Sequence, residues 1–379
     1  MRITVLAGGV GAARFLRGLK AEVPDADITV IGNTGDDITL FGLHVSPDLD
    51  TVMYTLGGGI SEEQGWGRDA DTFTVLGELS AYSAGSGWSG PDWFNLGDKD
   101  FATHIVRTSM LAAGQPLSAA TAALCERWRP GVRLIPMTDD WTETHVVLAG
   151  GPGQPTGPGQ PPGPGQPPGP GQPPGPGQPP RPGQPPRPGQ PPGPGQPPEP
   201  GRPPGPGQPG PGRTVHFQEW WVRLHATVPA SDIIIEGAAQ ARPAPGVLEA
   251  IAAADVILFP PSNPVVSIGA ILAVPAIAEA VRAKTVVGVS PIIGGAPVRG
   301  MADACLAAIG VPATAQAVAA HYGPGLLDGW LVDEQDKAAA DAPELAGITV
   351  RALPLYMTSL AATAAIARAA LDLAWELRG

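Results

Sequence analysis

The chain has 379 residues, 43% of them hydrophobic, and carries 23 Lys and Arg against 35 Asp and Glu, a formal net charge of −12. That length suits one large domain or two modest ones with a sizeable core, and so acidic a surface repels a nucleic-acid backbone. No run of about 20 uninterrupted apolar residues is present, so no membrane-spanning helix is expected; the N-terminus lacks the order of a secretory signal, which makes the cytoplasm the expected compartment.

In chain order, residues 3–7 read as a first β-strand that enters a glycine-rich turn at 8–11 and a helix through Lys20. A second strand over 28–32 ends in NTGDD, and strand–helix–strand at this spacing is a parallel βαβ unit. Helical patterns then cover 50–56, 71–82, 100–113 and 118–128. The two cysteines, Cys125 and Cys305, lie in alanine-rich helical patterns without metal-ligand spacing and read as buried thiols.

Residues 144–149 and 214–223 read as strands flanking a low-complexity insert, 151–213, built on the hexapeptide GPGQPP. Its glycine spacing alternates two and four, which excludes a collagen triple helix. With no large apolar side chain to bury, it is expected to be a disordered, partly polyproline II loop. It interrupts what reads as a single domain, residues 1–150 and 214–379. The insert holds four Arg and one Glu, a contribution of +3 that leaves −15 for the rest. A small anionic ligand would therefore need metal ions or backbone N–H groups for compensation. Beyond the insert, 232–236 and 256–259 read as buried strands flanking helix 246–253, 285–289 as another strand, and 359–377 as a long C-terminal helix. The expected class is α/β, a Rossmann-like, mostly parallel sheet with a helical excursion in its first half.

Five segments carry candidate chemistry. In AGGVGAARF (7–15), Gly8, Gly9 and Gly11 let backbone amides approach a phosphate at a helix N-terminus. Arg14 stands where a dinucleotide fingerprint would have its third glycine, and no Walker A loop follows. Asp36, Asp37, Asp48 and Asp50 cluster near this loop, as a Mg²⁺ ion bridging protein and diphosphate requires; Asp50 also fits a plain helix cap. In NLGDKDFATHIVR (95–107), Lys99 and Arg107 are candidate anion contacts, while a histidine such as His104 is more often packed or solvated than a base. PPSNPVVSIGAIL (260–272) places Ser262 and Asn263 at a strand end and Ser267 and Gly269 at the start of a helix, a second phosphate- or nucleotide-type site. VSPIIGGAPV (289–298) is a third strand end with small residues.

These stretches resemble the 2-phospho-L-lactate transferase family of coenzyme F420 biosynthesis. The matching segments are LAGGVGAARFLRGL, SPDLDTVMY, WGRDADTF, LGDKDFATHIVR, LIPMTDD, VHFQEWWV, PSNPVVSIGAIL, SPIIGGAPV and the terminal MTS, nearly the whole chain outside the insert. The resemblance implies transfer of a phospholactyl or phosphoenolpyruvyl group from a guanosine diphosphate-linked donor to the ribityl hydroxyl of a deazaflavin acceptor, 7,8-didemethyl-8-hydroxy-5-deazariboflavin, with release of GMP. It implies Mg²⁺, a homodimer, and contact of Asp50 and Lys99 with the deazaflavin, Asp50 being the catalytic candidate. The absence of a Ser-His-Asp order or a reactive Cys agrees with direct displacement, which needs positioning and charge neutralisation more than covalent help. Three other readings stay open: a non-catalytic nucleotide- or flavin-binding protein, an NAD(P)-dependent oxidoreductase, and a scaffold organised by the insert. The choice between lactate and enolpyruvate is not legible.

Overall fold

The computed structural model describes residues 1–83, 88, 90, 91, 93–149 and 212–379. Strand β1 (Arg2–Ala7) alternates its side chains, sending Ile3, Val5 and Ala7 into one core and Leu6 into the other. It is an interior strand of a sheet whose further strands, numbered within that sheet, are β2 (Asp27–Gly32), β3 (Arg133–Pro136), β4 (Val256–Phe259), β5 (Val286–Val289), β6 (Gly329–Val332) and β7 (Thr349–Ala352). All pair in parallel, in the order β7-β6-β5-β4-β1-β2-β3. Strands β4, β5 and β6 are buried at every residue, as parallel strands covered on both faces must be. The strand order reverses between β1 and β4, and in such doubly wound sheets ligands bind outside the carboxyl ends of the strands at that reversal.

Helix α1 (Gly9–Glu22) and the C-terminal helix Leu360–Arg378 cover one face. They approach closely at Gly18, where a Cβ would lie 2.5 Å from Thr363 Cγ2. Short helices that include Val247–Ala253, Ile277–Arg282 and Ala302–Ala308 cover the other face. The expected excursion between β2 and β3 contains α2 (Pro47–Leu56), α3 (Thr74–Ser83), α4 (Asp98–Ala112) and α5 (Leu117–Trp128). Cys305 is buried and Cys125 half-buried; burial pushes their thiols up to about 12 and about 11, so neither is a nucleophile at neutral pH.

Three boundaries differ from the sequence reading. Helix α2 begins at Pro47, whose fixed φ suits a first turn, and its cap position is Ser46. Asp50 is thus inside the helix, and the cap reading of this residue falls. Residues 71–73 are not helical, because Asp98 anchors the true start of α3: its carboxylate accepts from Thr72 Oγ1 (2.5 Å) and from the amides of Thr74 (3.1 Å) and Val75 (2.9 Å). The strand expected over 214–223 stops at His216. Trp220 is fully buried, its Nε1 donates to the Val228 carbonyl at 2.8 Å, and Glu219–Arg223 winds into a π-turn to put it there.

Strand Thr214–His216 pairs with Glu143–Leu148, which pairs in turn with Ala230–Glu236, in a three-stranded antiparallel sheet. The last strand was expected to be buried; instead its residues alternate, Ile233 and Ile235 packing on the core while Asp232, Ile234 and Glu236 face out. The Gly212 N–H donates to the Leu148 carbonyl and the Leu148 N–H to the Arg213 carbonyl, both at 3.0 Å. Gly212 and Arg213 therefore extend the hairpin ladder rather than the insert; the expectation for the remaining insert residues lies outside the described residues. The described residues on its two sides build one compact unit. Among them no helix is long and apolar enough to cross a membrane.

Candidate functional site

A cavity of about 900 Å³ opens at the carboxyl ends of β1 and β4, where the strand order reverses. Gly8, Gly9 and Gly11 form its floor. Gly9 takes φ +73°, and a Cβ on Gly11 would fall against the Pro261 carbonyl oxygen, so the β1 turn touches the loop after β4 with no room for a side chain. Ser262 ties the two loops together. Its Oγ donates to the Gly8 carbonyl at 2.9 Å and receives the Gly8 N–H at 3.3 Å.

The second phosphate-type segment is arranged differently from the sequence reading. The helical start lies at Asn263, whose side-chain oxygen accepts from the amides of Val265 (2.9 Å) and Val266 (3.2 Å), followed by the π-turn Pro264–Ile268. Ser262, Asn263 and Ser267 line the cavity. Gly269 does not; it sits past the π-turn, where a Cβ would lie 2.9 Å from the Pro264 carbonyl oxygen. Its small size serves packing rather than a ligand.

The four aspartates do not form one cluster, and among the described residues no group of three or more His, Cys, Asp or Glu converges with metal-holding geometry. Asp36 and Asp48 stay together on the cavity wall. Asn33, fully buried after β2, donates to Asp48 Oδ2 at 2.9 Å and accepts from the Gly35 N–H at 2.9 Å. Burial, and then the Asp48 charge, hold the Asp36 carboxyl well above the ordinary carboxylate range; burial raises Asp48 to about 6. Asp36 Oδ1 is buried and has no hydrogen-bond partner among the described residues. Asp37 is turned elsewhere, accepting from Ser46 Oγ at 2.7 Å and paired with His44 Nε2 at 2.8 Å. It fastens the hairpin Ile38–Leu40/Leu43–Val45 to the start of α2.

Asp50 lines the cavity from α2 but is engaged by Arg107 of α4, Nη1 to Oδ2 at 3.1 Å and Nη2 to Oδ1. A carboxylate held on both oxygens by a guanidinium is fixed in orientation and poorly placed as a metal ligand. His104 Nδ1 lies 3.2 Å from Arg107 Nη1, and burial lowers this imidazole to about 4, so it is neutral. Asp100 and Tyr54 complete this wall. Burial, reinforced by the Asp50 charge, raises Asp100 to about 7. Lys99 does not face the cavity. Its Nζ donates to the carbonyls of Asp69 (2.8 Å) and Ala70 (2.6 Å) and its N–H to Asp71 Oδ1 (2.8 Å), so it braces the loop that carries the cavity-lining Trp66 and Gly67.

The sequence reading gave no role to the aromatic rim. Trp221 stacks on Phe217 with centroids 6.4 Å apart and planes at 15°, and both line the cavity with Trp66 and Phe94. The available signal was WGRD, where Trp66 stands between two glycines that no core position calls for; nothing local separates Trp221, which faces the cavity, from the buried Trp220 beside it. Together the site offers amides for phosphate, two carboxylates for a hard cation, an oriented carboxylate, a carboxyl poised near neutrality and a flat apolar surface.

Comparison with known proteins places the chain among transferases. Curated proteins named phosphoenolpyruvate transferase are 57% identical in Streptomyces griseus, over the full length of both chains, and 57% identical in Thermobifida fusca, covering 100% of this chain and 99% of that one. The one from Nocardia farcinica is 48% identical over 98% of this chain and 95% of its own. A crystal structure of a protein from Bacillus halodurans shares the fold, with a TM-score of 0.53 and 16% identity, covering 98% of this chain and 99% of that one. The model of 2-phospho-L-lactate transferase CofD matches residues 3–157 and 208–348, and the chain belongs to that transferase family.

Proposed function

We propose that the chain transfers a phosphoenolpyruvyl or phospholactyl group from a guanosine diphosphate-linked donor to the ribityl hydroxyl of the deazaflavin acceptor, releasing GMP, as a step in coenzyme F420 biosynthesis. The names of its relatives favour the enolpyruvyl donor. One observation carries the reading: at the strand reversal, a loop of close-packed glycine amides faces two buried carboxylates, one with an unpartnered oxygen. With the Gly8 and Gly9 N–H groups held by Ser262 and Asp48, the following amides of the first turn of α1 suit a diphosphate. Mg²⁺ is usually held by one or two carboxylates plus substrate phosphates, so Asp36 and Asp48 fit it without a third ligand; when bound, it would neutralise charge on the phosphates.

The reaction then needs one displacement. The ribityl oxygen forms a bond to the phosphorus bearing the acid, the bridging P–O bond to GMP breaks, and its electron pair leaves with GMP. Asp50, held by Arg107, orients the attacking hydroxyl. Asp100, raised to about 7, is matched to accept its proton, because a general base works best near the operating pH. The Trp221–Phe217 stack and Trp66 offer the planar ring an apolar surface. Lys99 acts on the acceptor indirectly, through the loop it braces. The homodimer is carried from the family resemblance.

The test is GMP release by the purified protein with donor, deazaflavin and Mg²⁺. Release that depends on both substrates and equals the deazaflavin consumed is expected. No release, or release without the acceptor, would refute the reading.

A further inference from the structure

Two arginines on the cavity have no work in the account above. Arg14 lies three residues beyond Gly11 on the same side of α1, about 4.5 Å along the helix, and lines the cavity. Among the described residues it makes no hydrogen bond or ion pair, whereas Arg17, one turn further, pairs with Glu62. Arg299 lines the cavity too, braced from behind. It donates to the Gln64 carbonyl, and its Nη1 would lie 2.8 Å from a Cβ on Gly65, a residue at φ +73°. The two guanidiniums sense each other: partial burial first, and then the Arg14 charge, lower the proton affinity of Arg299. In a chain of net charge −12, two like charges converging on one cavity without a carboxylate partner mark a place kept for an anion.

We propose that Arg14 and Arg299 form a clamp for the carboxylate of the transferred three-carbon acid, an inference that rests on the reading of the site given above. On that reading the diphosphate has its own partners in the amides of the first turn of α1 beyond Gly8 and Gly9, whose N–H groups already meet Ser262 and Asp48. The acid carboxylate stands three bonds past the phosphorus under attack, a span comparable with the helical rise from Gly11 to Arg14. A planar guanidinium fork matches a carboxylate bidentately, and two forks fix its plane. The clamp therefore selects donors whose terminal group is a carboxylate and aligns the acid-bearing phosphorus toward the acceptor.

Calorimetric titration of the full-length enzyme in Mg²⁺ tests this, with GDP as the ligand lacking the acid and the acid-bearing donor as its partner. Arg14→Gln and Arg299→Gln should each weaken the donor on the order of 10- to 100-fold, as for a hydrogen bond to a charged group, and change GDP less than twofold. Arg14→Lys, which keeps the charge and stem but loses the fork, should fall between, and it carries the test if a glutamine variant shows no melting transition. Equal weakening of GDP and donor would assign the arginines to the phosphates and overturn the clamp; so would unchanged donor affinity. Wild-type protein that binds neither guanosine ligand would instead refute the site reading beneath it.

Discussion

Removing Arg107 separates the architecture of the site from its chemistry. The Asp50 and Arg107 side chains are 7% and 1% exposed and are joined through both carboxylate oxygens. Arg107→Met keeps most of the stem and deletes the charge, leaving Asp50 buried and alone. Loss of one partner of a buried pair costs about 3–5 kcal/mol, far more than the roughly 0–1 kcal/mol of an exposed pair such as Arg17–Glu62. With an unfolding entropy of about 0.6 kcal/mol/K for roughly 300 residues, Tm should fall by about 5–8 °C. Replacing both, Asp50→Leu with Arg107→Met, should recover most of that loss, because well-packed apolar residues substitute for a buried pair at little cost. Turnover should stay lost, since the oriented carboxylate is gone. Scanning calorimetry on the two singles and the double gives the coupling. An Arg107→Met protein with wild-type Tm, or a double variant as unstable as the sum of the singles, would refute the reasoning.

The metal pair makes a pH prediction. Burial raises Asp36 and Asp48, the latter to about 6, so the folded state favours their protonated forms. Without metal, their stabilising contribution is present below the ordinary carboxylate value and lost as pH rises, for Asp48 through about 6 and for Asp36 through its own raised value; Mg²⁺, which needs the ionised forms, should raise Tm more at pH 7.5 than at pH 5. An equal Mg²⁺ effect at both values, or none, would contradict the assignment. Gly11→Ala places a methyl against the Pro261 carbonyl oxygen; opening the crevice to fit it should cost about 1–3 kcal/mol in calorimetry and about 10²-fold in GMP release. Joining residues 149 and 212 by a short glycine-containing turn should leave Tm and turnover unchanged, because Leu148 and Gly212 already sit in ladder register at 3.0 Å; loss of either would show that the insert is required.

Local chemistry was legible and long-range pairing was not. The glycine turn after β1 and the apolar runs of β1, β2, β4 and β5 declare themselves, because backbone approach and two-sided burial leave a direct imprint on residue type. The run Ile233–Ile235 misled for the same reason: three isoleucines look buried on both faces, yet Ile234 is 41% exposed on an antiparallel sheet. The stretch after His216 failed because Trp220 is placed by a bond to Val228, which no local pattern encodes. Asp50 and Lys99 both stand near acidic helix starts in the sequence. Arg107, 57 residues from Asp50, and the carbonyls of Asp69 and Ala70 decide that one faces the cavity and the other does not. Asp37 and Asp48 look equivalent in composition, and the hairpin between them turns one to His44 and the other to the cavity.

The central claim is that the acceptor hydroxyl attacks the phosphorus bearing the acid. Mass spectrometry of the products of a single turnover, with enzyme in excess over donor, tests it most directly. The account predicts GMP and a deazaflavin carrying the phosphorylated three-carbon acid, its mass distinguishing enolpyruvyl from lactyl by two hydrogens. A guanylylated deazaflavin with free phosphorylated acid, which would place the attack on the other phosphorus, would contradict it.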